Sequence, residues 1–150
     1  MNLKVPPLLL TALLCAALWA SATALPASSF RVPGQWIIGA LLAVPAVLLI
    51  LHSGLLFRGL GTTVNPIRPE TSTRLAVTGC YRFSRNPMYL GMLLGLGAVA
   101  VALGSLLALV VLPGFVWYMN RFQIEPEERA LGTLFGEDYR AYRLKVRRWI

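Results

Sequence analysis

The sequence contains little of what metal centres and soluble catalytic sites are built from. Its 150 residues include one histidine, two cysteines and six acidic residues. Cys15 falls in an apolar stretch and Cys80 in a polar one, so a disulfide between them is not expected. Neither cysteine has a cysteine or histidine neighbour at metal-ligand spacing, and Ser-His-Asp, P-loop and zinc signatures are absent. The sequence therefore predicts no metal site.

Charge is equally scarce, while hydrophobic residues are abundant. Charged residues make up 13% of the chain and hydrophobic residues 57%, which is far from the composition of soluble domains. Two nearly uncharged stretches, about 5–25 and 35–57, each provide the roughly 20 apolar residues that cross a bilayer. The first also resembles a signal peptide, but we expect it to be retained as a helix. We therefore predict an integral membrane protein.

A third apolar stretch covers residues 88–119 and is too long for one ordinary span. Gly104 and Ser105 near its middle suit a tight turn, so we predict a helical hairpin with arms at about 88–103 and 106–120. One long tilted helix is the alternative. The predicted fold is a single all-α domain over residues 1–150, a multi-pass bundle of about four transmembrane helices whose last two form the hairpin.

The basic residues are distributed asymmetrically along this predicted topology. Four spans place both termini on one side of the membrane, together with the 58–86 loop and the 121–150 tail. Of the 14 lysines and arginines, 13 fall on that side, and Arg31 is the exception. The positive-inside rule then places that side in the cytoplasm. We expect the membrane to be the plasma (inner) membrane. The net charge of +8 needs no further explanation than this asymmetry, and we expect no nucleic-acid partner.

The segment "GCYRFSRNPMYLG" (residues 79–91) brings polar and basic residues up against the third apolar stretch. Asn86 followed by Pro87 is typical of a helix start, with Ser84 as an alternative cap. A helix N-terminus beside Arg82 and Arg85 would attract anions. Snorkelling arginines that only anchor the helix explain the same residues equally well.

The tail is predicted to be a cytoplasmic amphipathic helix, because apolar residues recur in it at three- and four-residue steps. An interfacial helix on anionic lipid accounts for its basic residues. It accounts less well for Glu125, Glu127 and Glu128, which follow a membrane exit. Beside anionic lipid, we expect these carboxylates to pair with cationic groups. Local arginines are one source of such partners.

Together the two polar segments resemble the membrane methyltransferase superfamily, which includes isoprenylcysteine carboxyl methyltransferases and phospholipid methyltransferases. That family's pattern is Gly-x-Tyr, then Arg-His-Pro-x-Tyr-x-Gly, an apolar hairpin, and an acidic, aromatic segment. The corresponding residues here are "GCY" at 79–81, "RNPMYLG" at 85–91 and "EERALGTLFGEDYRAY" at 127–142. The resemblance runs from about residue 61 to the last residue.

The resemblance implies S-adenosylmethionine as the methyl donor, bound without a metal between the loop before the hairpin and the helix after it. Carried over by position, the cofactor-binding residues are Thr73, Arg74, Leu75, Ala76, Tyr81, Arg85, Asn86, Pro87, Met88, Tyr89 and Glu127. The expected catalytic residues are Glu127, Glu128 and Arg121.

Two positions depart from the family pattern. Asn86 replaces the usual histidine, so an imidazole acid or base is lost there, although an amide still hydrogen-bonds. Gln123 stands where family members often carry an arginine that contacts substrate, and Arg121 lies two residues earlier. The departures affect catalytic detail and substrate assignment more than fold and donor.

The expected function is methyl transfer from S-adenosylmethionine to a lipid or prenylated acceptor from the membrane, without an obligate protein partner. A prenylcysteine carboxylate or a phospholipid amine would both serve as acceptor. The alternative is a non-catalytic membrane protein that keeps the fold as a structural or lipid-binding unit. A small transporter is disfavoured, because no span carries paired charges or broken-helix signals.

Overall fold

The computed structural model describes residues 5–59 and 75–150, which form helices joined by short turns. The α-helices are α1 (Pro7–Ala24), α2 (Gln35–Gly59), α3 (Pro87–Leu103), α4 (Ala108–Tyr118) and α5 (Glu125–Lys145). The described residues also form two 3₁₀ helices, Pro26–Ser28 and Gly79–Arg82, and a π-helical segment, Met119–Ile124. The described part of the chain contains no β-strand, which confirms the all-α prediction.

Helices occupy all four stretches that the sequence predicts to be spans. Among the described residues, α1 and α2 are long and apolar enough to cross a membrane. The apolar helix α3 has 17 residues, about 26 Å at 1.5 Å per residue. The helix α4 has only 11 residues, about 16 Å. The membrane character is thus supported, while the count of four crossings stays a prediction.

The backbones of α2 and α3 approach closely through glycines. A Cβ added to Gly39 would lie 2.9 Å from the carbonyl oxygen of Ala98, and one added to Gly91 would lie 2.8 Å from that of Ala46. Small residues at such crossings let helices pack tightly in a membrane. The helices α2 and α3 therefore pack closely against each other.

The third apolar stretch reverses direction at Gly104. This residue ends α3 with a φ of 65°, in the left-handed region that glycine adopts readily. The N–H of Phe30 donates to the carbonyl of Gly104 (2.8 Å), and the N–H of Leu106 donates to that of Ser28 (2.9 Å). The stretch is therefore two helices rather than one, and its turn lies beside the α1–α2 connection at one end of the bundle.

A buried apolar cluster joins α1, α3 and α4. Leu18 of α1, Leu96 of α3 and Phe115 of α4 belong to it and are almost completely buried. Tyr89, at the start of α3, lies at the opposite end from Gly104 and belongs to the same cluster. The cluster thus continues from the hairpin to the first turn of α3, where the polar residues meet.

The tail differs from the separate, regular amphipathic helix that the sequence predicts. The chain stays helical from α4 through the π-helical segment into α5, with no break between them. Gly136 (φ 49°, ψ −119°) then interrupts α5. Tyr139 and Tyr142 are buried, while Leu134 and Leu144 are exposed. A three- and four-residue periodicity does not anticipate this kink, although Leu131, Phe135, Tyr139, Tyr142 and Val146 of the predicted apolar stripe still pack in one cluster.

Candidate functional site

The residues before α3 and the helix α5 meet at the end of the bundle opposite Gly104. The hydroxyl of Tyr142 donates a buried hydrogen bond to the backbone carbonyl of Tyr81 (2.7 Å). The Tyr81 ring packs edge-on against Phe57 of α2, with 5.4 Å between ring centroids. These contacts hold the 3₁₀ helix Gly79–Arg82 between α2 and α5. The two segments that the sequence singles out are therefore brought together.

The carboxylate of Glu127 is held by two uncharged donors. The hydroxyl of Tyr89 donates to its Oε1 over 2.6 Å, and Nε2 of Gln123 donates to the same oxygen over 2.7 Å. Tyr89 lies in the first turn of α3, and Gln123 lies in the π-helical segment four residues before Glu127. Among the described residues, no lysine or arginine forms an ion pair with Glu127.

The environment of Glu127 disfavours its charge. The pKa of its carboxyl is raised to about 7: burial raises it most, the hydrogen bonds from Tyr89 and Gln123 lower it, and the nearby Glu128 carboxylate raises it. The carboxyl group of Glu127 is therefore partly protonated near neutral pH, and a neighbouring cation would favour its ionised form.

The neighbouring Glu128 has the opposite environment, since two arginines compensate its charge. Arg148 approaches it with two nitrogens, Nε at 3.1 Å from Oε1 and Nη2 at 2.8 Å from Oε2. Nη2 of Arg85 lies 3.0 Å from Oε1. Glu128 is buried, so this three-residue ion cluster ties α5 to the loop before α3. The contacts give Glu128 a structural role, and its predicted catalytic role stays a prediction.

Residues 146–149, here called the C-terminal strap, cross the start of α3. The backbone N–H of Arg85 donates to the carbonyl of Arg147 (3.0 Å), and Nδ2 of Asn86 donates to the carbonyl of Arg148 (2.9 Å). The indole of Trp149 donates to Oδ1 of Asn120 (3.1 Å). The strap thus connects the loop before α3 with the helix after the hairpin.

Asn86 occupies the predicted N-cap position of α3, but its side chain makes no capping hydrogen bond. Its amide is bound to the strap instead. Ser84, the alternative cap, accepts a hydrogen bond from the backbone N–H of Asn86 at 3.1 Å. The prediction of the helix start is correct, and the prediction of side-chain capping by Asn86 is wrong.

The remaining predicted site residues fall into three groups. Thr73 and Arg74 lie outside the described residues. Leu75 packs against the buried tyrosines of α5, and Ala76 is buried. The side chains of two further residues belong to the helical core, namely Pro87 and Met88.

Arg121 stands apart from the Glu127 and Glu128 contacts. Its side chain is 62% exposed and pairs with Glu125, four residues later, over 3.3 Å. Its catalytic assignment stays a prediction. Glu125 therefore has a cationic partner, as expected from the sequence, and Glu128 has two. Of the three carboxylates, only Glu127 lacks one within the described part of the chain.

Sequence reasoning missed two residues that the structure places in the site. The sequence identifies Gln123 only as a departure from a family arginine, although its four-residue spacing from Glu127 indicates a side-chain pair on one helix face. The sequence identifies Arg148 only as one of the basic residues of the tail. Its partner Glu128 lies 20 residues earlier, and no periodic pattern links the two.

Comparison with known proteins identifies the family of this chain. The phospholipid methyltransferase family model matches residues 35–138, from the start of α2 into α5. An uncharacterized protein from Haemophilus influenzae is 46% identical over 63 residues, which are 42% of this chain and all of that protein. No solved structure matches the chain significantly.

The matched family region includes Tyr81 and the hydrogen-bonded group of Tyr89, Gln123 and Glu127. It covers more than half of the chain, and the apolar helices agree with the membrane location that the family implies. Family membership indicates a membrane methyltransferase. The chain belongs to the phospholipid methyltransferase family, within the isoprenylcysteine and phospholipid methyltransferase superfamily.

Proposed function

We propose that this protein transfers a methyl group from S-adenosylmethionine to a lipophilic acceptor at the cytoplasmic face of the inner membrane. The observation that carries the proposal is the environment of Glu127. Its partly buried carboxylate is positioned by Tyr89 and Gln123 and has no cationic partner among the described residues. A carboxylate in this state is suited to a cationic ligand.

The residues present fit such a donor, which when bound supplies an activated methyl group on a sulfonium. Glu127 offers a negative charge for the donor's ammonium or sulfonium centre. Tyr89 donates a hydrogen bond to Glu127, and Tyr81 lies in the short helix just before α3. Aromatic faces at this position suit an adenine ring or a cation. Glu127, Tyr81 and Tyr89 would therefore hold the donor.

The chain's contribution to the reaction is positioning and the exclusion of water. A lone pair of the acceptor oxygen or nitrogen forms the new bond to the methyl carbon, and the electrons of the broken C–S bond stay on sulfur. This displacement needs no nucleophilic side chain, but it needs alignment in a site with little water. Tyr81 and Tyr89 are almost completely buried, so the site is shielded on that side.

A hydrocarbon chain of the acceptor has a place next to this site. An open apolar groove of about 570 Å³ runs along α2, α3 and α4, and its lining includes Leu93, Gly97 and Trp117. Leu93 lies one helical turn after Tyr89 on α3. An acyl or prenyl chain in the groove would direct its polar head toward Tyr89 and Glu127. A prenylcysteine carboxylate and a phospholipid amine both satisfy this geometry.

One observation supports the alternative, a lipid-binding unit without catalysis. Asn86 replaces the family histidine, and its amide is bound to the strap. It therefore provides no acid or base at that position. The alternative keeps the groove and the fold and requires no donor.

Titration calorimetry with S-adenosylmethionine on the detergent-purified protein separates the two proposals. The enzyme should bind the donor, and Glu127→Gln should weaken binding about ten-fold or more, roughly 1.4 kcal/mol. The matched control is Glu137→Gln, because Glu137 lies on the same helix with its side chain 86% exposed. The control should bind as the wild type does. No binding at millimolar donor would exclude the enzyme proposal.

The acceptor is identified by a second experiment. Protein that binds the donor is incubated with methyl-labelled S-adenosylmethionine and a total lipid extract. Base-labile label in the product indicates a carboxyl methyl ester, and base-stable label indicates an N-methylated amine. Donor binding without any transfer would favour the non-catalytic alternative.

A further inference from the structure

The guanidinium group of Arg85 is buried and only partly satisfied. Its side chain is 10% exposed, and Nη2 contacts Oε1 of Glu128 at 3.0 Å. The other two nitrogens, Nε and Nη1, are buried and have no hydrogen-bond partner among the described residues. Buried N–H groups on a charged side chain are costly when unpaired, and proteins rarely leave them so.

The carboxylate of Glu128 does not neutralise Arg85 fully. Arg148 engages both oxygens of Glu128, at 3.1 Å and 2.8 Å, while Arg85 makes one contact. Two guanidinium groups thus share one carboxylate, and the cluster keeps an excess positive charge. The unpaired nitrogens of Arg85 are where a second anion would compensate it.

The position of Arg85 adds to this attraction. Its backbone is fixed by the hydrogen bond from its N–H to Arg147, and it lies two residues before Pro87, the first residue of α3. A 17-residue helix places the positive end of its dipole at this point. The helix end alone would not define a site, but here it coincides with the unpaired guanidinium nitrogens.

We infer that Arg85 binds a small oxyanion, a carboxylate or phosphate group of a ligand in the candidate site. Two ligands of the proposed reaction carry such a group: the donor through its amino-acid carboxylate, and a phospholipid acceptor through its phosphate. For both, the inference rests on the proposed function. Arg85 and Glu127 then recognise opposite charges, Glu127 a cationic centre and Arg85 an anionic one.

The donor arm of the test compares S-adenosylmethionine with its decarboxylated analogue, which keeps the sulfonium and the amine. Calorimetry on the wild type should show at least about ten-fold tighter binding of the carboxylated ligand. In Arg85→Gln this preference should disappear, while the affinity for the analogue should stay within about three-fold of the wild type. Glu128 keeps its two contacts to Arg148 in this variant, so the fold retains one ion pair there.

The lipid arm compares phosphatidylethanolamine with diacylglycerol of the same acyl chains, retained in detergent and counted by native mass spectrometry. If the oxyanion is the lipid phosphate, wild type should retain the phospholipid preferentially, and Arg85→Gln should abolish the preference. The matched control in both arms is Arg82→Gln, because Arg82 lies in the same segment and is exposed. The control should behave as the wild type does.

The outcomes separate this inference from the proposed function. Loss of the carboxylate preference or of the phosphate preference in Arg85→Gln supports the site and names its source. The inference is overturned if both preferences persist in Arg85→Gln, or if the wild type shows neither preference. It is also overturned if Arg85→Gln weakens the binding of the anionic ligand and of its uncharged or decarboxylated counterpart equally. A wild type that binds no donor refutes the proposed function, and the lipid arm still decides the anion site. Should Arg85→Gln fail to fold, Arg85→Lys keeps a charge for Glu128 and should reduce the same preference.

Discussion

The side-chain amide of Asn86 donates a hydrogen bond to the backbone carbonyl of Arg148 over 2.9 Å, across 62 positions of sequence. Asn86 ends the loop before α3, and Arg148 lies in the strap after α5. The bond therefore joins the two segments that carry the candidate site. It also shows which contact an amide makes at the position where the resembled family pattern has a histidine.

Replacing Asn86 should loosen the strap without removing the donor site. Asn86→Ala leaves the carbonyl of Arg148 without its side-chain donor and should lower stability by about 1 kcal/mol. Asn86→His keeps a ring N–H that can donate and should lose less. Thermal unfolding in detergent measures both. Thr133→Ala, on an exposed residue of α5, is the control and should not shift the midpoint. Equal shifts for Asn86→Ala and Asn86→His would contradict this account.

Removing the carboxylate of Glu128 should destabilise the protein strongly. Glu128→Gln leaves Arg85 and Arg148 without their shared counter-charge in a buried position. Breaking a buried ion cluster from one side costs roughly 3 kcal/mol. The matched control Glu137→Gln removes a carboxylate from an exposed pair and should cost less than about 1 kcal/mol. Chemical unfolding of the two variants decides the point. Similar losses would mean that Glu128 is solvated in the folded protein.

Donor binding should depend on pH through Glu127. Its pKa is raised to about 7, and a cationic ligand prefers the ionised carboxylate. Affinity for S-adenosylmethionine should therefore increase by about five-fold from pH 6 to pH 7, a range in which the donor's own amine stays mostly protonated. Calorimetry measures the profile, and Glu127→Gln should flatten it. A steep profile in that variant would assign the dependence to another group.

The same pKa has the opposite effect on stability. The unfolded carboxyl titrates near 4.5 and the folded one near 7, so between these values the folded state holds the proton more tightly. The contribution of Glu127 to stability is therefore largest at low pH and falls as pH rises through this window. Glu127→Gln should unfold with less loss of stability between pH 4.5 and pH 7 than the wild type. The difference between the two unfolding profiles isolates this residue from other titrating groups.

The hairpin turn should tolerate no side chain at Gly104. The residue has a φ of 65°, and the backbone of Phe30 occupies the space that a Cβ would need. Gly104→Ala should therefore destabilise the protein by about 1–3 kcal/mol. The matched control is Gly97→Ala in the same helix, where an added Cβ would meet nothing within 4 Å. Thermal unfolding should show no loss of stability for the control. Equal losses for the two variants would mean that replacing either glycine destabilises the protein, whatever the space and φ at Gly104.

The sequence predicts the helices well because their signals are local. Long uncharged runs give α1 and α2, Pro87 starts α3, and Gly104 ends it. Each of these signals depends on the residue itself and its immediate neighbours. The fold class and the hairpin follow from them.

The candidate site is predictable only in part. The structure joins the motif residues Tyr89 and Glu127 by a hydrogen bond, and only the family resemblance pairs their two segments in the sequence. Their roles in donor binding stay predictions. The partners of Glu128 depend on the chain turning back after Lys145, and the kink at Gly136 precedes that turn. A periodic pattern describes a regular helix and contains no information about where the chain goes after an irregular one.

The unbroken helix from Ala108 to the start of α5 fixes the direction in which the side chain of Glu127 points, as well as its distance from the hairpin turn. Each residue turns the helix by about 100°, so the side chain of Glu127 meets Tyr89 only if the segment between the hairpin turn and Glu127 keeps its number of residues. A single inserted or deleted residue in α4 would turn Glu127 by about 100° around the helix axis and point it away from α3. The length of this segment is therefore under the same constraint as the identity of the carboxylate.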